Sequence, residues 1–159
     1  MAAILSEHRT ELSVRERDQL FLLWNREYPL SLRYEDTAAL DCYLAQLSNV
    51  RHYLLLSEQG QLQAWAAVFD RNQERWFAII VDRAQQGRGT GRALLQQLQR
   101  DEPVLNGWVS DREGEYKADG SLYRIPLPFY LRSGFTIVPG ERLELPQLSA
   151  LKIRWRADE

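Results

Sequence analysis

The sequence of 159 residues has few of the side chains on which several classes of protein depend. Cys42 is the only cysteine, which excludes internal disulfide bonds and fits a reducing compartment. His8 and His52 are the only histidines. With one cysteine they offer no metal-ligand cluster, so we expect no metal and assign both histidines surface or structural roles. No Cys-His or Ser-His-Asp arrangement is apparent, and Cys42 falls in a predicted amphipathic helix, which disfavours an acyl-cysteine mechanism.

Charge and hydropathy exclude further classes of protein. The formal net charge is −2 and 26% of the residues are charged, so no basic excess indicates a nucleic-acid partner. No apolar run approaches the ~20 residues of a membrane-spanning helix. The first residues lack the basic and long apolar regions of a signal peptide. We therefore expect a cytoplasmic protein, folded as a single domain over residues 1–159, with no membrane partner.

The most informative stretch is a strand, a glycine-rich loop and a helix over residues 76–100. Residues 76–81 form an apolar run of strand length, and residues 88–100 carry leucines on one side and glutamines on the other, as an amphipathic helix does. The loop between them reads QQGRGTG over residues 85–91. Glycines let the backbone approach a ligand closely, and the free N–H groups of a helix N-terminus bind anions. The stretch therefore indicates a phosphate or pyrophosphate site, with a tight turn that binds nothing as the alternative.

Two common phosphate-binding loops do not fit this stretch. A Rossmann fingerprint needs its third glycine three places after the second, where Arg92 stands. A Walker loop needs Gly-Lys-Ser/Thr, which is absent.

The remaining pattern predicts further helices and strands. Ser13 and Glu16 form a capping-box pattern in front of a helix that Pro29 ends, and a second helix follows it. Two short strands then lead, through tight turns, into the 76–81 strand as an antiparallel meander. The predicted bounds are a weak strand within 2–10, helices over 14–26 and 36–47, and strands over 52–57, 62–69, 104–109 and 149–156. In the last strand Lys152, Arg154 and Arg156 alternate with apolar residues, and Pro139, Gly140 and Pro146 predict a connecting segment before it.

Two motifs give the sequence a family resemblance. The loop resembles the acetyl-CoA-binding motif Gln/Arg-x-x-Gly-x-Gly/Ala of the GNAT superfamily of N-acetyltransferases, with its first residue at Gln86 and its last at Gly91. Residues 129–135, FYLRSGF, resemble the Phe-Tyr-x-x-x-Gly-Phe stretch of the same family. The resemblance implies an α+β (mixed α/β) GNAT-like acyl-CoA N-acyltransferase fold, with a central twisted mixed sheet of about six to seven strands flanked by about four helices. It also implies that the 104–109 strand runs parallel to the 76–81 strand and splays from it, so that the pantetheine arm of CoA bonds the exposed backbone.

The resemblance also assigns roles to individual residues. Tyr130 takes the position of the general acid near the CoA sulfur. The predicted cofactor-binding residues are Ile79, Ile80, Val81, Gln86, Gly87, Arg88, Gly89, Thr90, Gly91 and Arg92. The predicted acceptor-binding residues are Tyr28, Trp108 and Tyr123, with Tyr116, Leu30, Leu32 and Tyr34 as further candidates and packing as the alternative for each. The general base is either Glu74 or a water relay.

The polar segment 110–127 departs from the common family pattern. It is longer than the connection in many relatives, and Pro126 and Pro128 stiffen its exit. We expect an ordered loop that partly covers the acceptor site and helps to select the acceptor.

The function implied is an N-acetyltransferase that moves an acetyl group from acetyl-CoA to a primary amine by direct attack in a ternary complex. The acceptor is a small-molecule amine or an amine of a peptide or protein, and the protein is a monomer or a homodimer. The alternative is a catalytically weak or inactive acyl-CoA-binding module, which the missing glutamate inside the 76–81 strand favours.

Overall fold

The computed structural model describes residues 4–5 and 8–158, which form one mixed sheet with helices on both faces. The sheet has seven strands in the order β1-β2-β3-β4-β5-β7-β6. The strands are β1 (Ile4–Leu5), β2 (Ser48–Leu56), β3 (Leu62–Arg71), β4 (Glu74–Val81), β5 (Val104–Ser110), β6 (Thr136–Leu145) and β7 (Leu148–Arg156). The helices are α1 (Val14–Glu27), α2 (Thr37–Ala45), α3 (Thr90–Asp101) and α4 (Leu127–Arg132). The predicted fold class is confirmed, and none of the described helices is long and apolar enough to cross a membrane.

The predicted start of α1 is confirmed by its capping box. The Ser13 hydroxyl accepts a hydrogen bond from the Glu16 backbone N–H at 3.1 Å, and the Glu16 carboxylate accepts one from the Ser13 N–H at 2.8 Å. Two N–H groups that the helix cannot satisfy internally are thus paired. The Asp36 side chain caps α2 in the same way by accepting from the Ala39 N–H at 2.9 Å.

Strands β2, β3 and β4 form the predicted antiparallel meander. Asn72 and Gln73 make the turn between β3 and β4 with φ of 52° and 64°, a two-residue loop whose twist matches that of the paired strands. Strand β3 is buried on both faces because α1, with α2 packed against it, covers one side and α3 covers the other. Trp65 therefore packs in the core under α1, and Ala66 packs in the core under α3.

Strands β4 and β5 run parallel but pair only at Trp76 and Asn106. The buried Asn106 side chain holds this point by donating to the Arg75 carbonyl at 3.0 Å. At the next position Gly107 admits the Phe77 ring, since a Cβ atom there would lie 2.6 Å from the ring. Beyond this point β5 continues its pairing with β7 alone, and the β5-facing edge of β4 is left open. The splay that the resemblance implied is present.

Two features of the C-terminal hairpin differ from the sequence prediction. Residues 139–146 were expected to be a connecting segment, but most of them belong to β6. Pro139 and Gly140 fit because β6 is an edge strand and its register shifts between Ile137 and Arg142. Lys152 was expected on a polar face but is buried, because Glu74 and Glu141 accept from its ammonium at 2.7 and 3.2 Å. These partners are distant in sequence, so local alternation could not reveal them.

His52 is a structural residue rather than a surface one. It is 3% exposed, and its Nδ1 accepts a hydrogen bond from the Trp65 indole at 3.1 Å, which defines the neutral tautomer. Burial lowers the pKa of His52 to about 4. The backbone of His52 also forms an isolated antiparallel bridge with Arg9, which follows β1 in the chain.

The neutral His52 predicts a pH-dependent stability. In the unfolded chain His52 binds a proton below a pKa of ~6.5, whereas in the folded chain it stays neutral down to about pH 4. The free energy of unfolding should therefore fall as the pH is lowered through this window, by about 3 kcal/mol in all. His52→Asn keeps a hydrogen-bond acceptor for Trp65 but does not titrate. Urea unfolding of both proteins at a series of pH values should show a smaller slope for the variant, and parallel curves would contradict the assignment.

Candidate functional site

The predicted glycine loop follows directly from the end of β4. Asp82 caps a short 3₁₀ turn, and the chain then enters α3 through Gly87 and Gly89, both with φ of +79°. A left-handed backbone of this kind favours glycine because other residues lose energy there. Gly89 is the N-cap of α3 and has no side chain that could cap it, so the first N–H groups of α3 are left for a ligand. Gly91, in the first turn of α3, faces Val81 and Phe129, and a Cβ atom there would lie 3.5 and 3.7 Å from them, in ordinary van der Waals contact.

The loop forms one wall of a large cavity of about 910 Å³. Nine of the ten predicted cofactor-binding residues line it, and the exception is Arg88, whose side chain is exposed outside the cavity. The opposite wall comes from the end of the 110–127 segment and from α4. Three arginines, Arg92, Arg124 and Arg132, line the cavity, so its charge suits a ligand with several phosphate groups.

The open edge of β4 forms the floor of this cavity. Ile79, Ile80 and Val81 all line it, and they lie beyond the only pairing point with β5. Backbone N–H and C=O groups on that edge have no strand partner on the β5 side. An extended polar ligand can therefore pair with them as an added strand would.

A second cavity of about 200 Å³ lies toward the start of β4, between the sheet and α1. Aromatic rings make up most of its wall: Trp24, Tyr28, Tyr43, Phe69, Trp76, Phe77, Trp108, Tyr123 and Tyr130. Of the acceptor-binding candidates, Tyr28, Trp108, Tyr123 and Leu32 line it, whereas Tyr116, Leu30 and Tyr34 line neither cavity. Tyr116 is 54% exposed, so an acceptor contact for it stays a prediction without support from either cavity.

The two cavities share five lining residues, which are Tyr28, Ile79, Tyr123, Pro126 and Tyr130. Tyr130 is buried, and its ring packs edge-on against Phe77 at 5.6 Å. Burial raises the pKa of Tyr130 well above its usual value and that of Tyr123 to about 12. Both hydroxyls are therefore protonated at every physiological pH and act as hydrogen-bond donors where the cavities meet.

The 110–127 segment is ordered, as expected, and is held to the body of the protein at several points. Its residues 115–123 form a small hairpin closed by a bridge between Tyr116 and Leu122. The Tyr116 carbonyl accepts from the Leu30 N–H at 2.8 Å, and Asp119 pairs with Arg83. We call residues 111–126 the strap. It brings Tyr123 and Pro126 to the junction of the two cavities.

A buried ion pair anchors the strap. The Lys117 ammonium donates to Glu27 Oε1 at 2.7 Å, and Glu27 Oε2 accepts from the Arg83 N–H at 2.9 Å. Both side chains are less than a tenth exposed. Glu27 thus ties together the end of α1, the strap and the loop after β4. Sequence reasoning missed this pair because its members are 90 residues apart.

Glu74 does not have the surroundings of a general base. Its carboxylate accepts from Lys152 at 2.7 Å and from Arg154 at 2.6 Å, and it lines neither cavity. The hydrogen bond from Lys152 is the main cause that lowers its pKa. Sequence reasoning also missed several cavity residues, namely Trp24, Tyr43, Phe69, Arg71 and Trp76. The spacing of the four aromatic residues predicts core packing, and no local signal separates a core ring from a cavity wall. Arg71 falls in the predicted turn after the 62–69 strand, so the sequence does not associate it with a cavity.

Comparison with known proteins gives an independent view of the fold. The family model "Acetyltransferase (GNAT) domain" matches residues 49–137, which is more than half of the chain. The ribosomal-protein-S18-alanine N-acetyltransferase from Escherichia coli superposes with a TM-score of 0.68 at 18% identity, over 98% of this chain and 94% of the other. A SpeG spermidine N-acetyltransferase chimera from Vibrio cholerae and hSSAT gives 0.61 at 16% identity, over 99% and 98%.

A third solved structure contains a ligand. It is yncA from Salmonella typhimurium, provisionally assigned as an acetyltransferase and solved with its cofactor acetyl-CoA. Its TM-score is 0.67 at 15% identity, over 100% of this chain and 96% of the other. At such identities the likeness shows the fold alone. No curated protein sequence matches the chain.

The Glu27–Lys117 pair predicts a specific pattern of stability changes. Lys117→Met removes the buried counter-ion of Glu27 and leaves only the exposed Arg26, at 3.4 Å, which should lower the free energy of unfolding by about 3 kcal/mol. The double variant Glu27→Gln with Lys117→Met also removes the buried negative charge and should recover much of this loss. Urea unfolding of the two variants and the parent protein measures both effects. A double variant as unstable as the single one would show that packing, not charge pairing, holds the strap.

Proposed function

Because the chain belongs to the GNAT family of acetyltransferases, we propose that it transfers an acetyl group from acetyl-CoA to a primary amine by direct attack in a ternary complex. One observation carries the proposal. Two cavities of different size and character lie along the open edge of β4 and meet at Tyr28, Tyr123 and Tyr130. This is the arrangement that a reaction between two separately bound substrates requires.

Acetyl-CoA occupies the larger cavity in this proposal. Its pyrophosphate lies at the N-terminus of α3 against Gly87, Gly89 and Gly91, where free N–H groups and the helix dipole favour anions. Arg92, Arg124 and Arg132 supply further positive charge for its phosphates. The pantetheine arm pairs with the open edge of β4 at Ile79, Ile80 and Val81, which directs the thioester toward Tyr130. Arg88 is left out of this role because it lies outside the cavity.

The amine occupies the smaller cavity. An alkylammonium group has a pKa of ~10.4, so freeing the amine at pH 7 costs roughly 4–5 kcal/mol. Glu74 is engaged in ion pairs, and the described residues that line the smaller cavity include neither a carboxylate nor a histidine. The proton therefore leaves through water, and the aromatic walls favour the neutral amine by withholding bulk solvent.

The chemical step forms a C–N bond and breaks the C–S bond. The amine nitrogen attacks the thioester carbon, and a backbone N–H of β4 polarises the carbonyl oxygen. The intermediate collapses and expels the CoA thiolate, whose thiol has a reference pKa of ~8.5. Because burial raises the pKa of Tyr130 further above this value, a hydrogen bond from its hydroxyl to the developing thiolate is favoured over complete proton transfer. The amide nitrogen loses its remaining extra proton to water, and the thiolate is protonated on release.

A CoA-binding module without turnover is the second candidate. No carboxylate from the described part of the chain lines the smaller cavity, which favours this candidate because many acceptors need a base. The relatives reported above act on different acceptors, a protein alanine in one and spermidine in another. Because these acceptors differ, the acceptor of this chain has to be inferred from the residues of its own smaller cavity.

Acetyl-CoA should raise the thermal midpoint of the protein. At ~100 Kd of ligand the gain is about 2.7 kcal/mol, or roughly 5–10 °C for a chain of this size. Gly89→Glu should abolish the shift because it places a negative charge at the N-terminus of α3. Gly140→Glu is the matched control, since Gly140 has a similar φ of +77° and an equally open Cβ position but lies in β6. No shift for the parent protein with acetyl-CoA at millimolar concentration would overturn the cofactor assignment.

Tyr130→Phe should lower kcat by roughly 100-fold while leaving acetyl-CoA affinity within a few-fold of the parent value. Thiol release measured across pH 7–9.5 gives kcat, and calorimetry gives the affinity. Tyr53→Phe is the matched control, because it also removes a hydroxyl from a buried tyrosine but lies outside both cavities. An unchanged kcat in Tyr130→Phe over this range would remove Tyr130 from the mechanism. Thiol release with no amine tested, despite acetyl-CoA binding, would favour the binding module.

A further inference from the structure

Arg71 is the only charged residue that lines the smaller cavity in the part of the chain that the structure describes. Its side chain extends from the end of β3, and its guanidinium carbon lies 5.0 Å from the centre of the Phe69 ring, which also lines the cavity. Apart from Arg71, the polar groups of the wall are the Ser110 hydroxyl, the tyrosine hydroxyls and the indole N–H groups.

The carboxylates near Arg71 are already engaged elsewhere. Asp70 accepts from Arg75 at 3.2 Å and from Asn49 at 3.1 Å. Glu74 is directly opposite Arg71 in the β3–β4 register, but it pairs with Lys152 and Arg154. No described carboxylate forms an ion pair with Arg71. Its guanidinium contacts Phe69 and interacts with Tyr43, whose pKa it lowers against the rise that burial causes.

We propose that the acceptor is a small primary amine that also carries a carboxylate, and that Arg71 binds this carboxylate. The proposal rests on the proposed function, since the amine end must lie where the two cavities meet. A guanidinium that lines a small aromatic cavity and has no carboxylate partner suits an anion by charge and by its fork of N–H donors. A second ammonium group at this end would lie beside Arg71 without a counter-ion, so diamines and polyamines are disfavoured.

The pairing of β3 with β4 gives the spacing of the two groups. Phe69, over which the guanidinium lies, is opposite Trp76, and Ala66 is opposite Ile79 at the cavity junction. Three residues of strand separate these levels, which is about 10 Å. The volume of about 200 Å³ is the share of roughly seven water molecules in the liquid. The cavity therefore suits one flat apolar body with an amine at one end and a carboxylate at the other.

Three probes of equal shape test this inference: 4-(aminomethyl)phenylacetate, its carboxamide, and the diamine 2-[4-(aminomethyl)phenyl]ethylamine. Binding of each probe to the protein saturated with desulfo-CoA is measured by calorimetry. We expect the carboxylate to bind about 10-fold more tightly than the carboxamide, a modest ratio because Arg71 is exposed to water, and the diamine to bind most weakly. Arg71→Gln should remove the preference for the carboxylate. Arg100→Gln, an equal charge change on the exposed end of α3, should keep it.

Three results would overturn the inference. They are equal binding of carboxylate and carboxamide to the parent protein, a preference that survives in Arg71→Gln, and no binding of the carboxylate at 10 mM. Thiol release from acetyl-CoA with the same probes is a separate readout. Turnover of the carboxamide or diamine alone would support the acetyltransferase and contradict the role of Arg71. Binding of the carboxylate through Arg71 without turnover of any probe would support the inference and contradict the enzyme.

Discussion

The separation of β4 from β5 is the constraint on which the rest of this structure depends. The strands meet only at Trp76 and Asn106, and Gly107 makes room for Phe77 at the point where they diverge. Since a continuous sheet would leave no unpaired backbone, both cavities exist only because of this divergence. The larger one follows the end of β4 and the smaller one its beginning, so a single strand sets the positions of the two cavities with respect to each other. Rigid sheet geometry thereby supplies orientation that loops alone would hold less well.

Two carboxylates close to the cleft are neutralised by specific cations. Glu27 pairs with Lys117, and Glu74 pairs with Lys152 and Arg154. Such pairs contribute little net stability when both members are present, but each fixes the position of its segments because an unpaired buried charge is costly. Among residues 4–5 and 8–158, the smaller, aromatic cavity is lined by one cationic side chain and no anionic one. The charge that the smaller cavity presents to a ligand therefore depends on the ion pairs of Glu27 and Glu74 as well as on the residues that line its wall.

Sequence reasoning located the elements whose signals are local. The capping box at Ser13 and the glycine loop from Gln86 each depend on residues a few positions apart, and each lies where it was predicted. Edge strand β6 was not predicted, because Pro139 and Gly140 are generally unfavourable in strands, although an edge strand with a bulge tolerates them. The Glu27–Lys117 ion pair and the burial of Lys152 were not predicted, because both depend on contacts between residues far apart in the chain. The smaller cavity escaped for a related reason: Trp24 and Phe69 have core spacing, and only three-dimensional packing shows that a space remains beside them.

The open edge of β4 also bears on how the protein behaves while no ligand is bound. An unpaired strand edge is a template on which another chain can add, the first step of edge-to-edge aggregation. Here Ile125, Pro126 and Phe129 stand across the cleft from that edge. Proline has no N–H to donate, so Pro126 cannot continue a ladder of hydrogen bonds with β4. The end of the strap and the start of α4 therefore narrow the cleft, and a strand from another chain would have less room to pair with β4.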